Sequence, residues 1–300
     1  MKVVISGGSG LIGTAIARVL VDSAEVLVLS RRPEAVMVGQ GVLWDPASRG
    51  DWTSVVRDAD IVVNLAGAGI GDKRWSERRK KELWDSRIVS TRAIVDALGA
   101  RSIAGQPVLI SASAVGYYGA RGDEELDESS GPGEGFLCRL SEAWENEAKR
   151  ACDRARVVIP RIGIVLARNG GALAAMMPIF RMGLGGPLGS GRQWMSWIHL
   201  DDLVALIREA ISDERFEGPI NAVAPSPVTN REFTKSLGQA LHRPAILPAP
   251  GFAVRLALGE MADALLLTGQ RVRPRAASKL GFEFGFENLA SALDALSLRS

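Results

Sequence analysis

The chain has 300 residues, 47% of them hydrophobic, which is enough for one large core or two modest ones. Its formal net charge is only +2, so nothing points to nucleic-acid binding or to a strongly acidic partner. No apolar run approaches the roughly 20 residues that span a bilayer, and Gly7 comes too early for a cleavable leader, so we expect a cytoplasmic protein without a membrane segment.

The first predicted strand, residues 3–5, leads into a glycine-rich turn. Gly7, Gly10 and Gly13 separate it from a predicted helix. Glycines let the backbone approach a pyrophosphate, and a helix N-terminus offers unpaired N–H groups and the positive end of its dipole to that anion. This order predicts a dinucleotide site, the alternative being an ordinary glycine-rich turn. The predicted cofactor contacts here are Gly7, Ser9, Gly10, Leu11, Ile12 and Gly13.

The second predicted strand, residues 25–29, ends in Ser30, Arg31 and Arg32. A site specific for NAD has an Asp or Glu near this strand end, which accepts a hydrogen bond from the ribose 2′-OH. This chain has Ser30 there, followed by two guanidinium groups, whose planar fork suits a phosphate. We therefore predict that Ser30 and Arg31 contact the cofactor and that NADP(H) is preferred over NAD(H). The alternative is that both arginines are solvated loop charges.

Strands and helices then alternate, which predicts an α/β fold with a Rossmann-type, doubly wound parallel sheet. Ligands bind such sheets at the carboxyl ends of the strands, so Leu65, Ala66, Gly67 and the serines after Ile110 are expected beside the cofactor. The predicted elements are strands at 41–44, 60–65, 108–111 and 157–166, and helices at 51–59, 77–98 and 136–151.

The two cysteines, Cys138 and Cys152, are assigned to one predicted helix. The helical rise would put them roughly 21 Å apart, too far for a disulfide bond. The sequence has no zinc-binding pattern, so no metal site is predicted.

Beyond residue 166 the alternation fades into helices at 172–182, 201–211 and 230–241 and strands at 196–199 and 220–224. We predict a Rossmann domain at 1–165, to which segments near 195–225 return, and a smaller C-terminal α/β substrate or lid domain at 166–300. The glycine-rich loop 183–194 is either a flexible connection or a cover over the substrate.

Several segments together resemble the extended short-chain dehydrogenase/reductases, and more narrowly the branch labelled NAD-dependent epimerase with a C-terminal module of unknown function. They are the glycine turn, Asn64-Leu-Ala-Gly67, Ser111-Ala-Ser-Ala-Val-Gly-Tyr-Tyr-Gly119, Arg161-Ile-Gly-Ile-Val-Leu166 and Ser196-Trp-Ile-His-Leu-Asp-Asp202. The likeness covers nearly the whole chain. It implies a dinucleotide cofactor, with further contacts at Arg87, Ile164 and Glu82; Glu82 is expected either to pair with Arg87 or to contact the cofactor.

Most of the catalytic residues usual in this superfamily are replaced in this chain. The superfamily works with Asn, Ser, Tyr and Lys, and its Tyr and Lys normally form a YxxxK pair on the helix after the serine strand. Here Leu137 and Ser141 replace that pair, and Arg87 replaces the Asn. The serine survives, as Ser113 or alternatively as Ser111.

Only two tyrosines exist, Tyr117 and Tyr118, and both follow the serine strand. If a phenol is the acid it is one of them; the alternative is that one ring packs and the other borders the cofactor. The predicted catalytic set is therefore Ser113, Tyr117 and Tyr118, with a cation such as Arg87 needed to lower the phenol pKa. His199 is a possible general acid by residue type, but at its strand-to-helix junction a hydrogen-bonded structural role is expected.

These observations favour an NADP(H)-dependent oxidoreductase acting on an unknown small molecule, as a monomer or homodimer. A nucleotide-sugar epimerase is the alternative enzyme, and the missing YxxxK argues against it. A non-catalytic NADPH-binding sensor or scaffold is the alternative from another class.

Overall fold

The computed structural model describes residues 1–99 and 105–298 of the chain. The strands are β1 (Lys2–Ser6), β2 (Glu25–Ser30), β3 (Gln40–Leu43), β4 (Ile61–Asn64), β5 (Val108–Ser111), β6 (Ser113–Ala114), β7 (Glu125–Leu126), β8 (Arg156–Ile162), β9 (Ile164–Leu166), β10 (Trp194–Met195), β11 (Trp197–His199), β12 (Gly218–Ala222), β13 (Val228–Thr229) and β14 (Arg271–Val272). The helices are α1 (Leu11–Leu20), α2 (Asp51–Arg57), α3 (Glu77–Gly99), α4 (Phe136–Lys149), α5 (Gly171–Arg181), α6 (Leu200–Ser212), α7 (Asn230–Leu241), α8 (Gly251–Leu258), α9 (Glu260–Ala262), α10 (Arg275–Leu280) and α11 (Leu289–Ala295). Short 3-10 turns cover Pro33–Ala35 and Val115–Tyr118, and a π turn covers Asp263–Leu267.

The main sheet has the strand order β3–β2–β1–β4–β5–β8–β12, with parallel neighbours throughout, and β6 also pairs with β8. The predicted doubly wound parallel sheet is thus confirmed. The strand order reverses between β1 and β4. The glycine turn after β1 and the loop after β4 therefore flank the switch point at which such sheets bind ligands.

Alternation along β1 explains how the sheet is covered on both faces. Val3 and Ile5 join the core formed with α1 and α6, whereas Val4 joins the core formed with α2, α3 and α4. Successive side chains of a strand point to opposite faces, so a run that is apolar at every position needs helices on both sides.

The single strand predicted at 157–166 is wrong, because the chain leaves the sheet at Gly163. β8 stays in the main sheet, while β9 pairs with β11 outside it. A Cβ atom at Gly163 would lie 2.5 Å from the Ser196 carbonyl oxygen, so glycine allows the approach of the segment before β11. The signal for the break is Gly163 itself, since an isolated glycine within a strand pattern indicates a bulge or a close backbone approach.

The later part of the chain forms a separate core with residues such as Trp197, Phe233 and Leu293. The two-stranded pairs β9–β11 and β10–β13 contribute to this core. A third pair, β7–β14, packs in a smaller cluster with Tyr118. β12 lies at the edge of the main sheet beside β8. The division of the chain into domains at residue 165 stays a prediction.

α4 ends at Lys149, so the prediction that both cysteines share one helix is wrong for Cys152, and both thiols are free.

Among the described residues, no group of three or more His, Cys, Asp or Glu side chains could hold a metal ion. No helix of the described ranges is long and apolar enough to cross a bilayer.

Candidate functional site

The glycine turn packs directly against the end of β4. Gly7 has φ +71°, and a Cβ atom there would lie 2.8 Å from the Leu65 carbonyl carbon and oxygen. At Gly13 a Cβ atom would lie 2.5 Å from the Gly7 carbonyl oxygen, so α1 begins close against the turn. Only glycine fits both positions, and the predicted contacts Gly7 and Leu65 are thereby brought together.

The first turn of α1 offers an anion site. Gly10 caps the helix in an extended conformation, and the first helical hydrogen bond runs from the Thr14 amide to the Gly10 carbonyl at 2.9 Å. The amides of Leu11 and Ile12 make no hydrogen bond within the described residues. Ser9 and Gly10 are exposed, so the N-terminus of α1 is open to solvent. Its unpaired amides and the positive end of the helix dipole suit an anion such as a pyrophosphate.

The end of β2 presents an unpaired guanidinium. The Ser30 hydroxyl accepts a hydrogen bond from the Arg32 amide at 3.0 Å and donates one to the Arg32 carbonyl at 3.1 Å, which fixes the turn. Arg31 is exposed and forms no ion pair with any described residue. With no carboxylate here, this strand end suits a phosphate better than a ribose hydroxyl.

Arg87 on α3 is a second cation without an anionic partner among the described residues. Its guanidinium lies over the Trp144 ring, 5.2 Å from the centre, and its Nη1 donates to the Leu83 carbonyl at 3.2 Å. A Cβ atom at Gly67 would lie 3.0 Å from the Arg87 Cζ, so the loop after β4 rests on this side chain. Burial, and secondarily the charge of Arg79, lowers the pKa of Arg87 to about 10. A bound anion would relieve both effects.

Glu82 is engaged elsewhere than expected. Its carboxylate pairs with Arg79 at 2.8 Å, and this hydrogen bond lowers the pKa of Glu82. Arg79 also donates to the Gly69 carbonyl oxygen. Of the two alternatives for Glu82, pairing with Arg87 is wrong, because Arg79 lies one helical turn before Glu82 and pairs with it instead. Contact with the cofactor stays a prediction.

Ser113 belongs to a buried polar network. Its hydroxyl donates to Glu145 Oε1 at 2.8 Å. The Glu145 carboxylate also accepts two hydrogen bonds from Arg161, from Nε at 2.8 Å and from Nη2 at 2.9 Å. All three side chains are almost fully buried. Because an ionised carboxylate can only accept, the Ser113 proton points to Glu145. Ser111, the alternative serine, is buried between strands and accepts from Asn64 Nδ2 at 3.3 Å.

The two tyrosines differ sharply. The Tyr118 hydroxyl donates to Asn221 Oδ1 at 2.7 Å and accepts from Arg161 Nη1 at 2.9 Å, and burial raises the pKa of Tyr118 to about 12. Tyr117 is half-buried, and its hydroxyl accepts a hydrogen bond from Arg161. Within the described ranges no group accepts the Tyr117 proton. Burial raises the pKa of Tyr117 as well, with Arg161 opposing.

The expectation that Arg87 is the cation beside the phenols is wrong. Arg161 has that position, with its Cζ 3.7 Å from the Tyr117 ring centre and 5.1 Å from that of Tyr118. Arg87 instead extends from α3 to the loop after β4. The two sites lie on different elements, which residue spacing does not reveal.

Two further predicted residues have clear local positions. Leu137, at the tyrosine position of the resemblance, begins α4 beside the 3-10 turn: a Cβ atom at Gly116 would lie 3.4 Å from the Leu137 Cβ. Ile164 follows the break at Gly163, is half-buried, and its amide donates to the Ser196 carbonyl at 2.8 Å.

His199 has the structural role expected of it. Its Nδ1 accepts from the Asp201 amide at 3.2 Å, which caps α6, and its ring lies 4.0 Å from that of Phe286. Burial lowers the pKa of His199, so the ring stays neutral at physiological pH.

Sequence reasoning missed Glu145 and Arg161 as members of the site. A usable signal existed for each. Arg161 stands within the apolar strand β8, and Glu145 follows Trp144 on the buried side of α4. Charged residues at buried positions need an opposite charge nearby, so the two could have been matched to each other.

Two family models match the chain: the NAD dependent epimerase/dehydratase family over residues 3–222 and a domain of unknown function, DUF1731, over residues 249–296. An epimerase family protein of Mycobacterium leprae is 43% identical over 299 residues, covering 99% of this chain and 96% of its own. Human epimerase family protein SDR39U1 is 37% identical over 300 residues, with 98% of each chain covered.

Solved structures agree with these matches. A crystal structure of human SDR39U1 (isoform 2) with NADPH has a TM-score of 0.89 and 36% identity, covering 99% of both chains. A UDP-glucuronic acid 4-epimerase from Bacillus cereus, solved with NAD, has a TM-score of 0.77 at 16% identity, covering 99% of this chain and 97% of its own, and so shares the fold. The model match and these full-length relatives confirm the resemblance drawn from the sequence: the chain belongs to the NAD-dependent epimerase/dehydratase family, with a C-terminal domain of unknown function.

Proposed function

We propose that the chain is an NADPH-dependent oxidoreductase that reduces the carbonyl group of a small molecule. The observation that carries the proposal is the end of β2, where Arg31 is exposed and unpaired and no carboxylate stands at the Ser30 position. The NADPH in the human relative supports the same cofactor. Arginine recognises a 2′-phosphate by paired, charge-assisted hydrogen bonds.

The residues of the switch point fit a dinucleotide. The free amides of Leu11 and Ile12, beside Ser9 and the open side of Gly10, would hold the pyrophosphate, and Gly7 and Gly13 give the close backbone approach. Arg87 would add a cation to the same anion. Residues assigned to the rest of the cofactor are Ser30, Arg31, Leu65, Ala66, Gly67, Glu82 and Ile164. When bound, NADPH supplies a hydride.

Tyr117 is the proton donor in this proposal. Ser113 and Tyr118 already donate to buried protein acceptors, whereas the Tyr117 hydroxyl accepts from Arg161 and has no acceptor for its own proton among the described residues. Its raised pKa keeps the phenol protonated at neutral pH. In reduction, the carbonyl carbon gains the hydride, the oxygen takes the Tyr117 proton, and solvent then reprotonates the phenolate. The Arg161 guanidinium, 3.7 Å from the ring centre, stabilises that phenolate.

Ser113 has a more limited role than donation to a carbonyl. Its proton points to Glu145, so the hydroxyl offers its lone pairs to a ligand. It can accept a hydrogen bond from the hydroxyl of the product alcohol. Donation to the reacting oxygen would require the hydroxyl to rotate away from the carboxylate.

A sensor or scaffold that binds NADPH without turnover is the second candidate. It is favoured by the same two hydrogen bonds, which use the Ser113 and Tyr118 protons for protein structure. An epimerase would have to abstract and return a hydroxyl proton, and a phenol whose pKa is raised is a poor base for that step.

The deciding experiment measures binding and turnover separately. Calorimetry with NADPH and NADH should show tighter NADPH binding, and a panel of aldehydes and ketones should contain compounds that oxidise NADPH in the presence of the protein. Tight NADPH binding with no oxidation across the panel would favour the sensor. Interconversion of a nucleotide sugar without net NADPH consumption would favour the epimerase.

A further inference from the structure

We propose that the substrate is an apolar carbonyl compound with an aromatic or aliphatic body, rather than a nucleotide sugar; this inference rests on the proposed function. Five side chains, here named the apolar wall, lie where the C-terminal segment meets α3 and α4. They are Trp84, Leu137, Leu258, Met261 and Leu265. All except Met261 keep part of their surface uncovered.

The apolar wall begins at the predicted reaction zone. Leu137 packs beside Gly116, the residue before Tyr117. Trp84 also packs in a second cluster with Leu65 and Ala112, which follow the ends of β4 and β5. The wall therefore extends from the carboxyl ends of the central strands to the segment after α8. A carbonyl carbon near Tyr117 would have its substituents against these side chains.

The side chains of the segment that closes the wall offer no free polar group to a sugar or a diphosphate; the neighbouring cation, Arg74, is exposed and lies against the backbone at Gly259. Residues 256–267 read Leu-Ala-Leu-Gly-Glu-Met-Ala-Asp-Ala-Leu-Leu-Leu, without a cation, an amide side chain or a hydroxyl. Its two carboxylates are occupied: Glu260 pairs with Lys80 at 2.9 Å, and Asp263 pairs with Arg255 at 2.9 Å.

Solvation decides between the two ligand classes. Sugar hydroxyls and phosphates placed against an apolar surface lose hydrogen bonds to water and gain none in return. An apolar body gains from the same burial in proportion to its area. The side chains of residues 256–267 have no free hydrogen-bonding group for a polar ligand, so the wall selects its ligand by hydrophobicity.

The test uses full-length protein saturated with NADP⁺, titrated by calorimetry with n-alkyl phenyl ketones of increasing length and, separately, with UDP-glucose. We expect the ketones to bind with an affinity that rises about threefold to fourfold per added methylene, and UDP-glucose to show no binding. Tighter binding of UDP-glucose than of the ketones, or no ketone binding at all, would overturn the proposal.

Matched variants locate the binding. Leu137→Gln and Leu265→Gln should each weaken ketone binding tenfold or more. Leu256→Gln should leave it unchanged, because Leu256 lies on the same segment but is 79% exposed and outside the wall. If Leu265→Gln does not fold, Leu137→Gln carries the comparison. Equal affinity in wild type and in the folded wall variants would also overturn the proposal.

Turnover separates this inference from the proposed function. Ketones that bind in a wall-dependent manner but leave NADPH unoxidised under single-turnover conditions would refute the reductase and leave the ligand class standing. NADPH oxidation by a nucleotide sugar that carries a keto group, but not by the ketones, would uphold an enzyme and refute the ligand class.

Discussion

The guanidinium of Arg161 lies over the ring of Tyr117, 3.7 Å from its centre, while two of its nitrogens hold the carboxylate of Glu145. Glu145 in turn accepts the Ser113 proton at 2.8 Å. One buried ion pair therefore positions a serine and a phenol that come from the segment after β5. The chemistry proposed for the site depends on this pair staying intact.

Glu145→Gln should lower the free energy of unfolding by about 3–5 kcal/mol, because it leaves the buried charge of Arg161 without its partner. Urea denaturation measures this. Arg92→Ala is the control: it breaks an ion pair with Glu147 on the same helix, but Arg92 is 53% exposed, so about 1 kcal/mol or less is expected. Similar losses in both variants would contradict the structural importance of the buried pair.

Tyr117→Phe should change the rate of the hydride step, whereas Tyr118→Phe should change the stability of the fold. Removing the Tyr117 hydroxyl should slow the hydride step roughly 10²-fold, with NADPH affinity kept, because the proton donor is lost. Removing the Tyr118 hydroxyl should spare that step and lower stability by about 1–3 kcal/mol, because Asn221 and Arg161 lose a buried partner. Single-turnover kinetics and urea denaturation distinguish them. Normal hydride transfer in Tyr117→Phe would assign the proton to another group.

Arg31→Ala should weaken NADPH binding by about 1.5–3 kcal/mol and leave NADH binding nearly unchanged, because a charge-assisted contact with the 2′-phosphate is lost. Calorimetric titration of both cofactors measures the difference. Arg18→Ala controls for loss of general positive charge, since Arg18 is an exposed arginine near the far end of α1. An unchanged cofactor preference in Arg31→Ala would remove Arg31 from the site.

Gly10→Val should abolish NADPH binding in a folded protein. Gly10 has extended backbone angles, φ −82° and ψ 173°, and a Cβ atom there would approach only the Gly7 carbonyl oxygen, at 3.2 Å. The added methyl groups would instead fill the space assigned to the pyrophosphate. Gly13→Val should fail to fold normally, because its Cβ would lie 2.5 Å from that same oxygen. Circular dichroism and NADPH fluorescence titration separate the two; wild-type affinity in Gly10→Val would refute the assignment.

His199 should make stability fall on mild acidification. Burial lowers its pKa below 6.5, with Asp201 and Asp202 opposing, so the unfolded chain binds the proton first. The stabilisation is therefore complete above about pH 6.5 and is lost as the pH falls towards the lowered folded value. His199→Asn retains a capping side chain for α6. Urea denaturation at pH 7 and pH 5.5 should show a smaller loss in this variant; an equal loss would exclude His199 as its source.

The fold was predictable from the sequence, and the cofactor contacts could be proposed from it, because their signals are local. An apolar strand, three glycines and an amphipathic helix occupy residues 2–20 without interruption, and Ser30 and Arg31 follow the next strand directly. In each case the sequence pattern and the residues it predicts belong to the same or to adjacent elements. Hydrophobic periodicity and turn residues were therefore sufficient to predict the fold.

The catalytic end was not readable because its contacts are tertiary. Tyr118 is held by Asn221, 103 residues later, and Ser113 by Glu145 on a different element. Neither pairing follows from spacing. The order of the two tyrosines likewise gives no indication that Tyr118 is buried with its proton donated to Asn221, while the Tyr117 proton has no acceptor among the described residues.

The place of β12 at the edge of the main sheet has a consequence for biosynthesis. Its residues, 218–222, are translated long after β8, which ends at residue 162. Until they emerge from the ribosome, β8 presents an open row of N–H and C=O groups, the kind of edge that recruits other chains. The nascent protein must therefore shield its sheet, or be shielded by a chaperone, while more than fifty intervening residues are added. A chain stopped before residue 218 should accumulate in aggregates rather than as a smaller NADPH-binding protein.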